Sequence, residues 1–464
     1  MTPVSPTDQQ HLFAAGIFLF CAVCIHLLFI GSLFSEPFAF EHNENLIGSR
    51  SHPQESAPFK GFLDSWFHDT DRVPRGLDFF SIYQAGRNFL RGQSVYYGVR
   101  EHQLGEEALV VPYFSGFRYL PAYAVIFGTL LNILPPWLSY WAWILLVETL
   151  LLLNIYLIKW LPVSSSIKSI IAGMWLAYSP FYVEIHIGQQ SMVTVTLLHL
   201  CIIAHLNRKP GIRNSAYIIS ALWKLNTLLF LPIWIKFKQW RPVLLLFLLI
   251  ILSSVPYFVC VDKSYQEFQS YFHHKFIATG PNSLGFWAFF SQFLQAANLD
   301  HSMIKRILTN WSFVIYTFGI AATFIPRKTN FTLALAMWIC VYFLTYQYVW
   351  EHHYVMMLPV FSAGMLFKNL RKFAVISWLF CALPTPYIVL NNPSLLMPQE
   401  KWNLLQSVFY HGTKIIPVLL LFFLLAISLF RNIGGLNAIN SGDSQIDVYQ
   451  IFHQVKKRLL KRAG

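Results

Sequence analysis

Asp78 opens the run Asp78-Phe79-Phe80-Ser81-Ile82-Tyr83-Gln84-Ala85-Gly86-Arg87-Asn88-Phe89-Leu90-Arg91-Gly92, in which Phe79 to Leu90 has the apolar spacing of a surface helix and Gly92 is its stop signal. A carboxylate at that place has two uses. It caps the helix by accepting from backbone donors, or it takes a proton from a reacting hydroxyl as a general base. Spacing alone leaves both open. Glu351-His352-His353 follows Trp350 between two apolar stretches. Ionisable groups at a membrane boundary are costly, and imidazole holds a proton near neutral pH; interfacial anchoring by Trp350 and histidine is the structural alternative. Lys224 interrupts an otherwise apolar segment, and Arg118 stands between Phe117 and Tyr119, so each is a cation suited to a phosphate. Asp69-Thr70-Asp71 is a D-x-D, a pattern that holds a divalent metal in some sugar-transferring enzymes, although three-residue matches are common in polar loops. Cys21 and Cys24 form a C-x-x-C inside an apolar helix with no other ligand type nearby, so neither zinc nor redox chemistry is expected there.

The elements that must position these groups belong to a membrane. The 464 residues are 55% hydrophobic, 17% aromatic and only 12% charged, where soluble domains carry roughly 25% charged residues. That excludes an ordinary soluble protein, a disordered chain and a collagen. Lys+Arg 34 against Asp+Glu 21 leaves a formal +13. In this setting the excess reads as cytoplasmic loops facing anionic lipid, and no nucleic-acid partner is expected. The six cysteines fall in or beside apolar segments, which argues against a disulfide framework. Leu12 to Phe34 lacks a basic leader region and a small-residue cleavage site, and reads as an uncleaved anchor.

Hydropathy places helices at roughly Leu12 to Phe34, Trp137 to Ile158, Ile170 to Ile185, Met192 to Leu206, Pro242 to Cys260, Trp311 to Ile325, Phe331 to Val349, Tyr354 to Phe367, Phe373 to Leu390 and Ile415 to Phe430. Two segments are ambiguous: Tyr119 to Leu134, bracketed by prolines, and Ala216 to Ile235, interrupted by Lys224 and Asn226. The basic clusters at 208–213, 236–241, 327–328, 368–372 and 456–462 all stay cytoplasmic only if Ala216 to Ile235 goes in and returns as a hairpin with Lys224 near its tip. The same reasoning has Tyr119 to Leu134 lie along the outer face or dip into it.

The expected fold is an all-α polytopic membrane protein with about 12 membrane segments (roughly 10 to 13). One transmembrane domain covers 1–440 and a basic cytoplasmic tail covers 441–464. A first outer loop at about 35–118 is long enough to carry its own helices, and a second runs at about 261–310. Both termini are then cytoplasmic. Asp78, the turn His186-Ile187-Gly188-Gln189-Gln190, Lys224 and Glu351-His352-His353 share the outer face. The tail segment Val455 to Arg462 reads as an interfacial helix.

Several of these patterns in order, Asp78-Phe79 with Tyr83-Gln84-Ala85-Gly86, Gly92, Tyr96-Tyr97, Phe117-Arg118-Tyr119-Leu120-Pro121, Leu134-Pro135, Gly188-Gln189, Lys224 with the basic 236–241 after it, and Trp350-Glu351-His352-His353, resemble family 87 glycosyltransferases. That group includes the polyprenyl-phosphate-mannose-dependent alpha-1,2-mannosyltransferases. The resemblance covers roughly residues 76 to 360. It implies a GT-C type fold, in which a multi-helix membrane protein presents a cavity to the outer face of a bacterial-type plasma membrane and uses a lipid-phosphate sugar. It implies Asp78 as general base and His352 or His353 near the donor. Lys224, Arg118, Gln189 and Tyr83 become donor or phosphate contacts, with Glu351, Asn282 and His186 as secondary candidates. The chain departs from the pattern at Gln190-Ser191 and at Pro281-Asn282-Ser283. The expected reaction moves a hexose, mannose by resemblance, from polyprenyl phosphate to a lipid or glycan acceptor. No cofactor is called for, because the leaving group is already an anionic phosphate ester; Asp69 and Asp71 remain weak metal candidates. The alternatives are a lipid-carrier flippase or transporter, which would use ionisable groups near the bilayer midplane and often repeated halves, and a glycan polymerase or ligase with a pyrophosphate-linked donor.

Overall fold

The structure, a computed structural model, describes residues 6–35, 76–97, 117–273, 283–384 and 404–431. Most of the first outer loop with Asp69 and Asp71, Asn282 of the second, and the basic tail lie outside the described residues. Among the described residues every regular element is helical. Five helical stretches, Gln9–Gly31, Pro136–Trp160, Trp240–Cys260, His301–Phe324 and Val408–Phe430, are long and apolar enough to cross a membrane, and shorter apolar helices lie between them. Their outer surfaces are greasy: Leu145, Leu244, Val259 and Phe313 each stand between 68% and 78% exposed. Water would not tolerate that much open apolar surface; lipid does. The chain is a polytopic membrane protein.

Contacts between distant residues give the direction of each helix. Helix α1 (Pro6–Ser35) is followed by α2 (Leu77–Leu90), α3 (Pro121–Leu131), α4 (Pro136–Leu157), α5 (Ser165–Leu176), α6 (Ser179–Ile187) and α7 (Ser191–Leu206). The Phe18 ring packs on Gly173, and Phe29 stacks on Tyr182 with ring centres 3.8 Å apart, so α1 runs parallel to the broken rod α5–α6. Helix α4 runs the other way, its Tyr140 hydroxyl donating to the carbonyls of Ile185 and His186 at 3.1 Å. One end of the bundle therefore gathers the start of α4, the end of α6 and the start of α7.

The segment around Lys224 is a hairpin, as the charge distribution requires. Helix α8 (Pro210–Trp223) ends at Lys224. A 3-10 turn, Leu225–Phe230, and α9 (Leu231–Lys236) lead back. Tyr217 stacks on Trp234 at 3.7 Å, the Trp234 indole donates to Asn214 at 3.2 Å, and Asn214 donates to Gln239 at 2.9 Å. These pairs are symmetrical about Lys224 to Asn226, which fixes the two arms as antiparallel. Each arm is about 21 Å long, from 14 residues of α-helix going out and six 3-10 plus six α residues returning.

The remaining elements are α10 (Trp240–Cys260), α11 (Ser264–His273), α12 (Phe286–Ala296), α13 (His301–Phe324), α14 (Phe331–Thr345), α15 (Met357–Leu366), α16 (Lys368–Ala382) and α17 (Leu404–Phe430). Asp300 starts α13 by accepting from the Met303 amide at 2.8 Å. At the foot of the hairpin Lys236 donates to the carbonyls of Phe324 and Pro326, at 2.9 and 2.8 Å, and His205 and Arg213 lie against the Phe331 ring. The basic turns after α7, α9 and α13 thus meet at one end of the bundle, opposite Lys224.

One feature differs from the sequence expectation. Helix α2 is a wedge and not a surface helix: residues 79–86 are buried, and exposure begins at Phe89. Its seam with α3 has no side chains at the crossing. A Cβ on Gly86 would sit 2.0 Å from the Gly128 carbonyl carbon, so both positions must be glycine for the backbones to touch. The α3 segment, expected to lie along the outer face or dip into it, contains a π turn, Ala124–Gly128. Asn132 braces the seam by donating to the carbonyls of Gly128 and Tyr83 at 2.7 and 2.8 Å.

Candidate active site

Asp78 is not the cap of α2. That position belongs to Gly76, in the left-handed region at φ 75, whose amide donates to the His186 carbonyl at 2.8 Å. The Asp78 side chain is left to point at the turn after α6. There Gly188 adopts φ 66, and a Cβ on it would lie 2.5 Å from the Phe79 Cβ. Only glycine gives both that backbone and that approach, and the result is that the next residue, Gln189, is set beside Asp78.

The Gln189 amide is the hub. Its Oε1 accepts from the Gln190 backbone N–H at 2.9 Å and from the Tyr119 hydroxyl at 3.3 Å. A backbone donor settles which way the amide faces. Nε2 then donates to Asp78 Oδ2 at 2.9 Å and lies 3.3 Å from His352 Nε2. Since an NH2 group needs an acceptor, His352 Nε2 carries no proton and the ring is neutral, with its proton on Nδ1. Burial and the nearby Lys224 ammonium push this imidazole below its ordinary range, in keeping with that tautomer.

His353 is used differently. Its Nδ1 accepts from the Trp350 amide at 3.1 Å, closing the 3-10 turn Glu351–Met356 in which both histidines sit. The geometry therefore separates two residues that the sequence left equivalent: His352 meets Asp78 through Gln189, and His353 shapes the turn.

Lys224, at the hairpin tip and half-buried, donates to Ser191 Oγ at 3.0 Å and feels the carboxylates of Glu184 and Asp78. Arg118 is exposed, with its charge acting on His353, Tyr119 and Tyr346. The aromatic wall beside the histidines is formed by Tyr342 and Tyr346, stacked at 4.9 Å, with Tyr346 6.1 Å from His353.

Three candidates fall elsewhere. The Tyr83 hydroxyl donates to the Leu134 carbonyl at 3.0 Å and belongs to the α2–α3 seam. His186 is buried, and its carbonyl ties Gly76 and Tyr140 together. Glu351 forms a buried ion pair with Lys414 of α17 at 3.0 Å, and Lys414 also donates to the carbonyls of Cys381 and Leu383 at 2.7 and 2.6 Å. That triad fastens the histidine turn to α16 and α17. Sequence reasoning missed Glu184, Ser191, Tyr119 and Lys414. Glu184 carried a usable signal, as an acid inside the apolar segment Ile170 to Ile185.

The assembled group, a carboxylate, a neutral imidazole, an orienting amide and a lysine at one end of a membrane bundle, suits proton abstraction from a hydroxyl beside a bound anion. No curated protein matches the chain. The model of Glycosyltransferase family 87 matches residues 117–358, just over half of the chain, a stretch that carries Arg118, Tyr119, Gln189, Lys224 and the histidine turn. On that match the chain belongs to glycosyltransferase family 87 and is a membrane glycosyltransferase.

Proposed function

We propose that the protein transfers a hexose, mannose on the strength of the resemblance, from a polyprenyl-phosphate carrier to a lipid or glycan hydroxyl. The observation that carries the reading is the Asp78–Gln189–His352 chain with Lys224 standing close to it. In a single displacement the acceptor oxygen attacks the anomeric carbon, Asp78 takes the hydroxyl proton, and the lipid phosphate departs with the bonding pair. Lys224 and Arg118 stabilise charge growing on the departing phosphate, and His352, held by Gln189, lines the donor. No metal is required on this reading.

The site opens to the outer face: the basic turns at the foot of the hairpin belong inside by the positive-inside rule, and the cluster lies at the opposite end. The five long apolar helices, the shorter ones between them and the hairpin counted as two are compatible with about twelve membrane segments in a GT-C type arrangement. Membrane vesicles supplied with polyprenyl-phosphate mannose test the reaction directly. Asp78→Asn, which keeps the Gln189 contact, is expected to lose at least about a hundredfold in turnover. A well-folded Asp78→Asn protein that matches the parent would remove the assigned base, and transfer only from a pyrophosphate-linked glycan would remove the donor.

A further inference from the structure

Glu184 lies just before the hub in sequence, its carbonyl accepting from the Gln189 backbone N–H at 2.9 Å, and its side chain is assigned no part in the cluster. It lies in α6 with 0% exposure. Its Oε1 accepts from the Met192 amide in the first turn of α7. Among the described residues its Oε2 has no hydrogen-bond partner. The residue before Met192 is Ser191, and Ser191 Oγ is the acceptor of the Lys224 ammonium at 3.0 Å. One helix start thus holds an acid by its backbone and a base by its side chain, on adjacent residues. A buried carboxylate needs compensation, and among the described residues the Lys224 ammonium and the Ser191 hydroxyl act on it. Lys224 in turn faces Asp78, Glu184 and the two histidines, His352 and His353, from three different elements. The histidines bring no negative charge; Asp78 does, and its carboxylate acts on Lys224 while accepting from Gln189.

We propose that Glu184 is a positioning residue, a fixed counter-charge that acts together with Asp78 to keep Lys224 an ammonium, held on Ser191, ready for an anionic phosphate. This rests on the reading that Lys224 meets the donor phosphate. When Glu184 is replaced by glutamine the Met192 amide keeps its acceptor, but one of the two negative charges that act on Lys224 is gone. The lysine then loses its proton more readily, and an anion is held only at lower pH.

The test is the pH profile of kcat/KM for polyprenyl-phosphate mannose in vesicles of the full-length protein, comparing the parent, Glu184→Gln and Glu184→Asp. In Glu184→Gln the alkaline limb is expected to move toward acid by about one pH unit or more, with KM raised more than kcat is lowered, and Glu184→Asp should restore the limb. A role confined to capping α7 predicts something else: Glu184→Gln unchanged, or a uniform loss at every pH from fewer folded molecules. Either of those outcomes, in a parent that transfers the sugar, overturns the assignment of Glu184 alone. A parent that transfers no hexose from any polyprenyl phosphate overturns the donor reading and this proposal with it.

Discussion

Replacing Lys414 with methionine separates the architecture of the histidine turn from its chemistry. Lys414 is fully buried and its ammonium lies 3.0 Å from Glu351, whose side chain is 9% exposed. At that separation, with an effective dielectric of 20, the attraction is about 5 kcal/mol. Methionine preserves most of the volume but strands the Glu351 carboxylate and frees the Cys381 and Leu383 carbonyls. Breaking a buried pair in this way costs roughly 3–5 kcal/mol. In detergent this should lower the apparent melting temperature by on the order of 5 °C or more. Adding Glu351→Gln removes the stranded charge, and the double variant should recover a large part of the loss. It should also recover transfer activity, because the pair fastens the turn and touches neither Asp78 nor Gln189. The matching assays are thermal unfolding monitored by tryptophan fluorescence and sugar transfer in vesicles. A Glu351→Gln protein with parental stability and no activity would refute the reasoning, since it would make Glu351 part of the chemistry.

Three other outcomes follow from the geometry. Gln189→Leu should cut kcat by about a hundredfold, because it removes the amide that orients Asp78 and His352, and should also lower the melting temperature, because the Gln190 N–H and the Tyr119 hydroxyl lose their acceptor; parental kinetics would count against the hub. Gly86→Ala would set its Cβ 2.0 Å from the Gly128 carbonyl carbon and so force α2 and α3 apart, and should cost roughly 1–3 kcal/mol in unfolding measurements together with most of the activity. The two buried histidines lie outside the apolar helices, and both are held below their ordinary range, chiefly by burial. The unfolded chain therefore takes up protons first as pH falls below about 6.5, so stability is full above that value and declines below it. Replacing both with asparagine should flatten the acid side of a plot of melting temperature against pH.

The membrane character, the hairpin and the helical run after Asp78 were legible because they rest on local rules: hydropathy, side-specific charge and period. The hairpin in particular follows from arithmetic on the basic turns, and the Asn214–Gln239 and Tyr217–Trp234 pairs meet that expectation. What was not legible depends on contacts far apart in sequence. The spacing leaves Asp78 open as cap or base, and only the backbone shows that Gly76 holds the cap position. The two histidines are distinguished by a bond from Trp350 and a contact 163 residues away at Gln189. Glu351 stands next to them in sequence as a secondary site candidate, yet its ion-pair partner sits in the last described helix, at a position that local pattern marks only as a lysine beside an apolar run.

The hairpin also bears on how the protein is assembled in its membrane. Neither arm, at about 21 Å, reaches across a hydrocarbon core of ~30 Å. Insertion of single segments selects about twenty apolar residues, and an arm ending on Lys224 does not meet that criterion alone. The two arms must therefore enter together, after α7 has been laid down and with shelter for the lysine supplied by protein. The ammonium at the tip is buried only once the turn that carries Gln189 and Ser191 is in place beside it. Seating of Lys224 on Ser191 and closure of the hairpin are then one event during biogenesis, while His352 joins only with the later turn Glu351–Met356, so a chain arrested before α10 would hold its hairpin but not the full cluster.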